Sequence, residues 1–235
     1  MRAEAVAYGD GLKGVAVFKD DGGDRRPMTL LAPNWLGLTK ETLARAERLA
    51  RDGRIVFVAD MFGDGRALSG PDEAAPLADA IRADTQLRRR RIAAALDAMR
   101  NFGRSSGLAS GAANSAVGFC FGGGNVLELA RDGADLAVIV ALHADLVTHA
   151  PAASGAVKAR LLVLHGSADP VAPKAHRDAF EDEMTQAGAD WRMMTFGGRV
   201  HSFAEEDADL PGIAHYEPVA AAESWEMLTH ALPRD

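Results

Sequence analysis

The chain has 235 residues, a formal net charge of −7, 48% apolar residues and one cysteine. That length and apolar share suit one medium-sized domain spanning 1–235, and the acidic balance argues against nucleic acid or an anionic membrane surface as a partner. A single cysteine excludes an intrachain disulfide, and no apolar run approaches the roughly 20 residues of a membrane-spanning helix.

Met1–Val6 lacks the apolar stretch of a secretory leader, so a reducing, cytoplasmic setting is expected. Arg88-Arg89-Arg90-Arg91 is the only basic run. It falls within the helical spacing of Leu87, Ile92, Leu96 and Met99 without interleaved aromatics, and reads as a solvated helix face.

In chain order, residues 3–8 and 12–18 alternate loosely around Gly9-Asp10-Gly11 and predict a hairpin. The turn Asp20-Asp21-Gly22-Gly23-Asp24 follows, then a short buried strand over 28–32 and a loop over 32–37. Thr39 is placed to cap a helix that carries Leu43, Ala46, Leu49 and Ala50 on one face and stops at Gly53. Residues 55–59 predict a buried strand ending at Asp60. Residues 63–71 are irregular, and helical patterns run from about 72 to 102. After a Gly/Ser-rich loop, residues 115–120 read as a buried strand that passes at once into a helix ending near Gly133. Further strands are expected over 136–142, 161–164 and 191–196. A helix over 173–187 stands between the last two, and Glu217-Pro218 opens the closing helix. Alternating strands and helices after an antiparallel start predict an α/β fold, with a mostly parallel central sheet and helices on both faces.

The junction at residue 120 carries the chemistry. Gly118 and Gly122 stand two residues either side of Cys120, the glycine–nucleophile–glycine pattern of a nucleophile elbow, here with a thiol. A nucleophile on such a sharp turn sits in strained backbone, packed too closely for side chains beside it. The following helix N-terminus favours a thiolate.

In open α/β sheets functional groups gather beyond the carboxyl ends of strands. Three such loops carry Cys120, Asp169 and His201, in the order nucleophile, acid, histidine. His201 is expected to take the thiol proton, and Asp169 to hold the imidazole in the matching tautomer. The competing histidines are less well placed. His176 and His230 fall in helical patterns, His165 lies at a strand end, and His215 in the tail loop is the nearest rival. Asp169-Pro170 also has a plainer reading as a turn or helix cap.

An oxyanion needs two donors; the expected pair is the backbone N–H of Phe121 and that of Trp35, in the loop after an early strand. Asn34, Phe121 and His143 are expected to line the substrate pocket. His143-Ala144-Asp145 with His149 matches none of the usual zinc spacings, and no metal is expected. Gly122-Gly123-Gly124 lacks the glycine spacing of a dinucleotide loop.

Gly-Phe-Cys-Phe-Gly-Gly, His-Gly-Ser-Ala-Asp-Pro and Gly-Gly-Arg-Val-His-Ser-Phe together resemble the dienelactone hydrolase family. The resemblance extends from the 33–37 loop to the helix containing Trp225. It implies an α/β-hydrolase fold, a triad at Cys120, Asp169 and His201, a cytoplasmic single-domain protein and no organic cofactor. The implied activity is hydrolysis of a small-molecule ester, lactone or thioester by a carboxymethylenebutenolidase-type enzyme, working as a monomer or homodimer. Two positions depart from the family's best-understood members. Asn34 stands where they carry a glutamate implicated in activating the thiol, and an amide cannot act as a base. Glu205 stands where they carry an arginine that grips a substrate carboxylate; Arg199 and Arg82 are the candidate substitutes. An acyltransferase on the same triad, or a binding protein that kept only the scaffold, are the alternative readings.

Overall fold

The computed structural model describes residues 1–22 and 25–234, so part of the expected turn, Gly23-Asp24, lies outside the described residues. The chain divides into two compact units. One comprises residues 1–116 with the C-terminal tail from Pro233, and the other residues 117–232.

The first unit opens with the antiparallel hairpin β1 (Arg2–Tyr8) and β2 (Leu12–Phe18), paired from Arg2↔Phe18 to Tyr8↔Leu12. β3 (Met28–Ala32), α1 (Lys40–Ala50) and β4 (Ile55–Val58) follow. The strands lie in the order β1-β2-β4-β3; β2 pairs antiparallel with β4, and β3 pairs parallel with it. Every residue of β3 and β4 is buried, as strands covered on both faces require. Thr39 caps α1 by accepting the Thr42 N–H at 3.1 Å, which satisfies one of the helix's open donors.

The helical stretch after residue 71 is two helices, α2 (Pro71–Ala83) and α3 (Thr85–Ser106). Asp84 leaves the helical region and turns its carboxylate to the Leu87 N–H at 2.8 Å, capping α3 as α2 ends. The arginine run does not form a uniformly solvated face. Arg88 is buried, while Arg91 crosses to the Met61 carbonyl. α3 packs on β3 and β1, and stops where Gly107 adopts φ +71°.

β5 (Ser115–Phe119) leads into the second unit and α4 (Phe121–Arg131). Then come β6 (Val138–Leu142), β7 (Arg160–Gly166), α5 (Lys174–Gln186) and β8 (Trp191–Phe196). The strand order is β5-β6-β7-β8, with β6–β7 and β7–β8 parallel. β7 runs to Gly166, so the strand takes in His165 at its end. A small hairpin, β9 (Asp209–Leu210) and β10 (Ala214–His215), interrupts the expected tail loop before α6 (Pro218–Ala231). α4 packs against β6, and α6 against β6 and β7.

A buried ionic cluster ties this unit together. Arg131, at the end of α4, donates to Glu128 and Glu183, each at 2.9 Å, and to the Leu146 carbonyl at 2.9 Å. Glu183 of α5 also accepts the Ala152 N–H at 2.9 Å. The segment after β6 is thereby clamped to both helices. Among the described residues no helix is long and apolar enough to cross a membrane.

Candidate active site

β5 delivers the chain to Cys120, whose backbone has φ 53° and ψ −117°. A side-chain-bearing residue rarely occupies that region, and holding it there costs on the order of 1–3 kcal/mol. The surroundings hold it on three sides. The Cys120 N–H donates to the Leu142 carbonyl at 3.0 Å, and its carbonyl accepts from Gly124 and Asp145 N–H groups at 3.3 and 3.4 Å. Gly118 makes the turn feasible, because a Cβ there would lie 2.2 Å from the Gly122 carbonyl oxygen. Phe121 is the first residue of α4, so its N–H belongs to the helix's first turn beside the sulfur.

The acid and the histidine arrive on adjacent strands. Beyond β7, Asp169 Oδ1 accepts the Val171 and Ala172 N–H groups at 2.8 and 3.2 Å, which fixes the carboxylate within its own turn. Beyond β8 the chain turns at Gly197-Gly198 toward His201. The two loops run in contact: the Ala168 N–H donates to the Arg199 carbonyl at 3.0 Å, and the Gly198 N–H to Ser167 Oγ at 2.7 Å. A Cβ on Gly166 would meet the Arg199 carbonyl oxygen at 2.3 Å. The His201 backbone is also pinned to β10 and its turn, donating to the Ile213 carbonyl at 3.0 Å and accepting from the His215 N–H at 3.1 Å.

These constraints bring the three side chains together. His201 Nδ1 lies 2.8 Å from Asp169 Oδ2, and His201 Nε2 lies 3.0 Å from Cys120 Sγ. With Nδ1–H donating to the carboxylate, Nε2 is directed at the sulfur. All three residues are buried, Cys120 keeping 7% of its surface exposed.

Burial alone would lower the His201 pKa, but the Cys120 charge and the Asp169 hydrogen bond outweigh it and hold the imidazole well above its ordinary 6.5. Burial likewise pushes Asp169 up. The hydrogen bond and charge of His201, with smaller contributions from His165 and the Ala172 N–H, bring it below its ordinary 3.8. His165 goes the other way from His201. Burial dominates and keeps it below 6.5, while its Nε2 faces the Ala172 carbonyl at 2.9 Å. His165 therefore serves as a neutral donor that braces the Asp169 turn from behind. The sequence signal for it was only its place on an apolar strand.

The other expected residues fall as follows. Asn34 is buried in the loop after β3, where its Oδ1 accepts the Leu36 N–H at 3.0 Å. Trp35 is in the same turn, within the first unit. His143 is fully buried, its ring set edge-to-face against His201 at 5.4 Å and against Phe203 at 5.5 Å, with Phe119 at 5.9 Å. Glu205 is buried too and accepts the Ser202 hydroxyl at 2.9 Å. Neither arginine named as a substitute cation is uncommitted: Arg199 pairs with Glu217 at 2.7 Å, and Arg82 with Asp79 at 2.8 Å. His215 lies on β10 and His176 on α5. Among the described residues no group of three or more His, Cys, Asp or Glu side chains is arranged to hold a metal ion.

A family model described as "Dienelactone hydrolase family" matches residues 12–234. No curated protein matches the chain. The solved structure named m3DLH is 32% identical, with a TM-score of 0.89 over 98% of this chain and 96% of that one. A dienelactone hydrolase-like promiscuous phosphotriesterase from metagenomic libraries, P91, is also 32% identical, with a TM-score of 0.87 over 97% of this chain and 96% of that one. The carboxylesterase Cest-2923 from Lactobacillus plantarum, at 16% identity and a TM-score of 0.67 over the whole of both chains, shares the fold.

Proposed function

The chain belongs to the dienelactone hydrolase family, and on that footing we propose that it hydrolyses a small-molecule ester, lactone or thioester through a covalent acyl-cysteine on Cys120. One observation carries the reading. A single imidazole bridges a carboxylate at 2.8 Å and the cysteine sulfur at 3.0 Å.

The proposed cycle begins from a thiolate beside the His201 imidazolium. The sulfur attacks the carbonyl carbon, and the C=O electron pair moves onto oxygen. The Phe121 N–H faces that oxyanion; one such donor is worth about 3–4 kcal/mol of transition-state stabilisation. Collapse restores the carbonyl and breaks the bond to the leaving oxygen or sulfur, which takes the proton from His201 Nε2. Water then attacks the thioester carbon while the neutral imidazole accepts its proton. A second collapse releases the acid and returns the thiolate–imidazolium pair. Asp169 keeps the same bond to Nδ1 throughout and stabilises the charged ring.

Short p-nitrophenyl esters supply the test. Wild type is expected to turn them over, and folded Cys120→Ala to fall to the uncatalysed rate; equal rates in the two proteins would refute the proposal. The likeness to P91 favours one further substrate. A phosphotriester carrying the same p-nitrophenyl leaving group is expected to be cleaved with the same dependence on Cys120.

A further inference from the structure

A buried imidazole that the proposed cycle does not use stands behind the acid. His165 lies at the end of β7, fully buried. Its Nε2 is 2.9 Å from the Ala172 carbonyl, and a carbonyl only accepts, so the ring carries its proton on Nε2. Nδ1 is buried with no hydrogen-bond partner among the described residues. In a neutral ring that atom is a lone pair; in a charged ring it would be a stranded N–H donor, which is costly. Ala172 passes the constraint on to the acid. Its N–H donates to Asp169 Oδ1 at 3.2 Å, and the Val171 N–H donates to the same oxygen at 2.8 Å. Oδ1 is thereby committed to the turn, and Oδ2 is left for His201 Nδ1 at 2.8 Å. His165 Nε2 is 3.8 Å from that Oδ2, too far for a hydrogen bond.

We propose that His165 is a positioning residue for the reaction: by holding the Ala172 carbonyl it fixes the rotation of the Asp169 carboxylate, so that Oδ2 is always presented to His201. This inference rests on the reading of Cys120, Asp169 and His201 as the reacting set. The role requires an uncharged ring, because an imidazolium 3.8 Å from Oδ2 would compete with His201 for it. The charged and titratable groups facing His165 are Asp169 on its own loop, His201 beyond β8 and Arg177 of α5. Arg177 Nη1 donates to the Gly166 and Ser167 carbonyls, each at 3.3 Å, so a tethered cation lies against the same loop. It opposes a second positive charge at His165, in the same direction as burial. The groups facing His201 are Cys120, Asp169 and His165, with the ring of His143 edge-on.

His165→Leu deletes the donor to Ala172, and His165→Gln restores an N–H at about the reach of Nε2. The decisive readout is the proton NMR resonance of the His201 Nδ1–H, shifted downfield by its bond to a carboxylate, which needs no ester turnover. It is expected to be sharp in wild type and His165→Gln, and broadened or moved upfield in His165→Leu. Ester kcat in His165→Leu is expected to fall about ten- to a hundredfold with KM little changed, the range for reacting groups displaced by up to about 1 Å, and His165→Gln to recover most of it. The Asp169 hydrogen bond helps keep His201 protonated, so the alkaline limb of Cys120 alkylation by iodoacetamide is expected at lower pH in His165→Leu than in the other two proteins. Wild-type kcat or an unmoved resonance in folded His165→Leu overturns the inference, as does a His165→Gln protein no better than His165→Leu. If His165→Leu does not fold, His165→Asn, whose amide is too short to reach Ala172, takes its place in the same comparison. The two levels stay separable: activity in folded Cys120→Ala would sink the nucleophile reading, whereas an unmoved His201 resonance sinks only the role of His165.

Discussion

Gly118→Ala tests how tightly the elbow is built. The added Cβ would sit 2.2 Å from the Gly122 carbonyl oxygen, 2.4 Å from its carbon and 2.6 Å from the Gly123 nitrogen. All three are backbone atoms, so no side-chain rotation relieves the clash. To reach an ordinary contact, the first turn of α4 has to retreat by roughly 1 Å, and overpacking of this kind costs about 1–3 kcal/mol. For a chain of this size each kcal/mol lowers Tm by about 2–4 °C, so a fall of roughly 2–12 °C is expected. The effect on turnover is larger. That turn carries both the sulfur of Cys120 and the N–H of Phe121, and a misplacement of 1 Å at reacting groups costs about a hundredfold. Thermal melts, p-nitrophenyl ester kinetics and iodoacetamide labelling of Cys120 measure the three effects. Gly111→Ala is the control, because nothing lies within 4 Å of its added Cβ. A Gly118→Ala protein with wild-type Tm and kcat/KM would refute this account of the elbow.

Three other perturbations follow from the same geometry. Asp169→Asn replaces the acceptor of the Nδ1–H with an amide; kcat for ester hydrolysis is expected to fall about 10³–10⁴-fold with the protein still folded. The His201 ring, followed by NMR, is expected to titrate well above 6.5 in wild type and to drop toward 6.5 in Cys120→Ala, since the Cys120 charge is the largest influence raising it. Because the folded value lies above the unfolded one, the stability contributed by this protonation is complete below pH 6.5 and lost as pH climbs through the folded value. An unchanged titration in Cys120→Ala would contradict the ion pair. Arg131→Met leaves Glu128 buried without its cation, which costs about 3–5 kcal/mol and is read as a lower Tm with the ester kcat of the remaining folded protein little altered.

Much of the fold was legible because its signals are local. β3 and β8 follow from apolar or alternating runs bounded by turn residues, and α1 from Thr39 placed before an amphipathic stretch. Cys120, Asp169 and His201 could be singled out because each lies just beyond the carboxyl end of a strand, and those ends share one edge of a parallel sheet. What the sequence hid depends on tertiary surroundings. The break at Asp84 is a cap whose competing helical pattern continues on both sides. Arg88 is buried within a run that looks uniformly solvated. The β9–β10 hairpin has two residues per strand, too few to show a period, yet it anchors the backbone of His201. His143 and Glu205 read as a loop imidazole and a misplaced charge. Only tertiary packing buries them, His143 against the rings of Phe119, Phe203 and His201.

Intact-mass analysis of wild-type protein, quenched in acid within the first turnover of p-nitrophenyl acetate, tests the nucleophile most directly. The account predicts a species heavier by one acetyl group, with the label mapped by peptide digestion to Cys120 and lost in Cys120→Ala. Ester turnover with no such species at any quench time, or with acetyl on another residue, would contradict it.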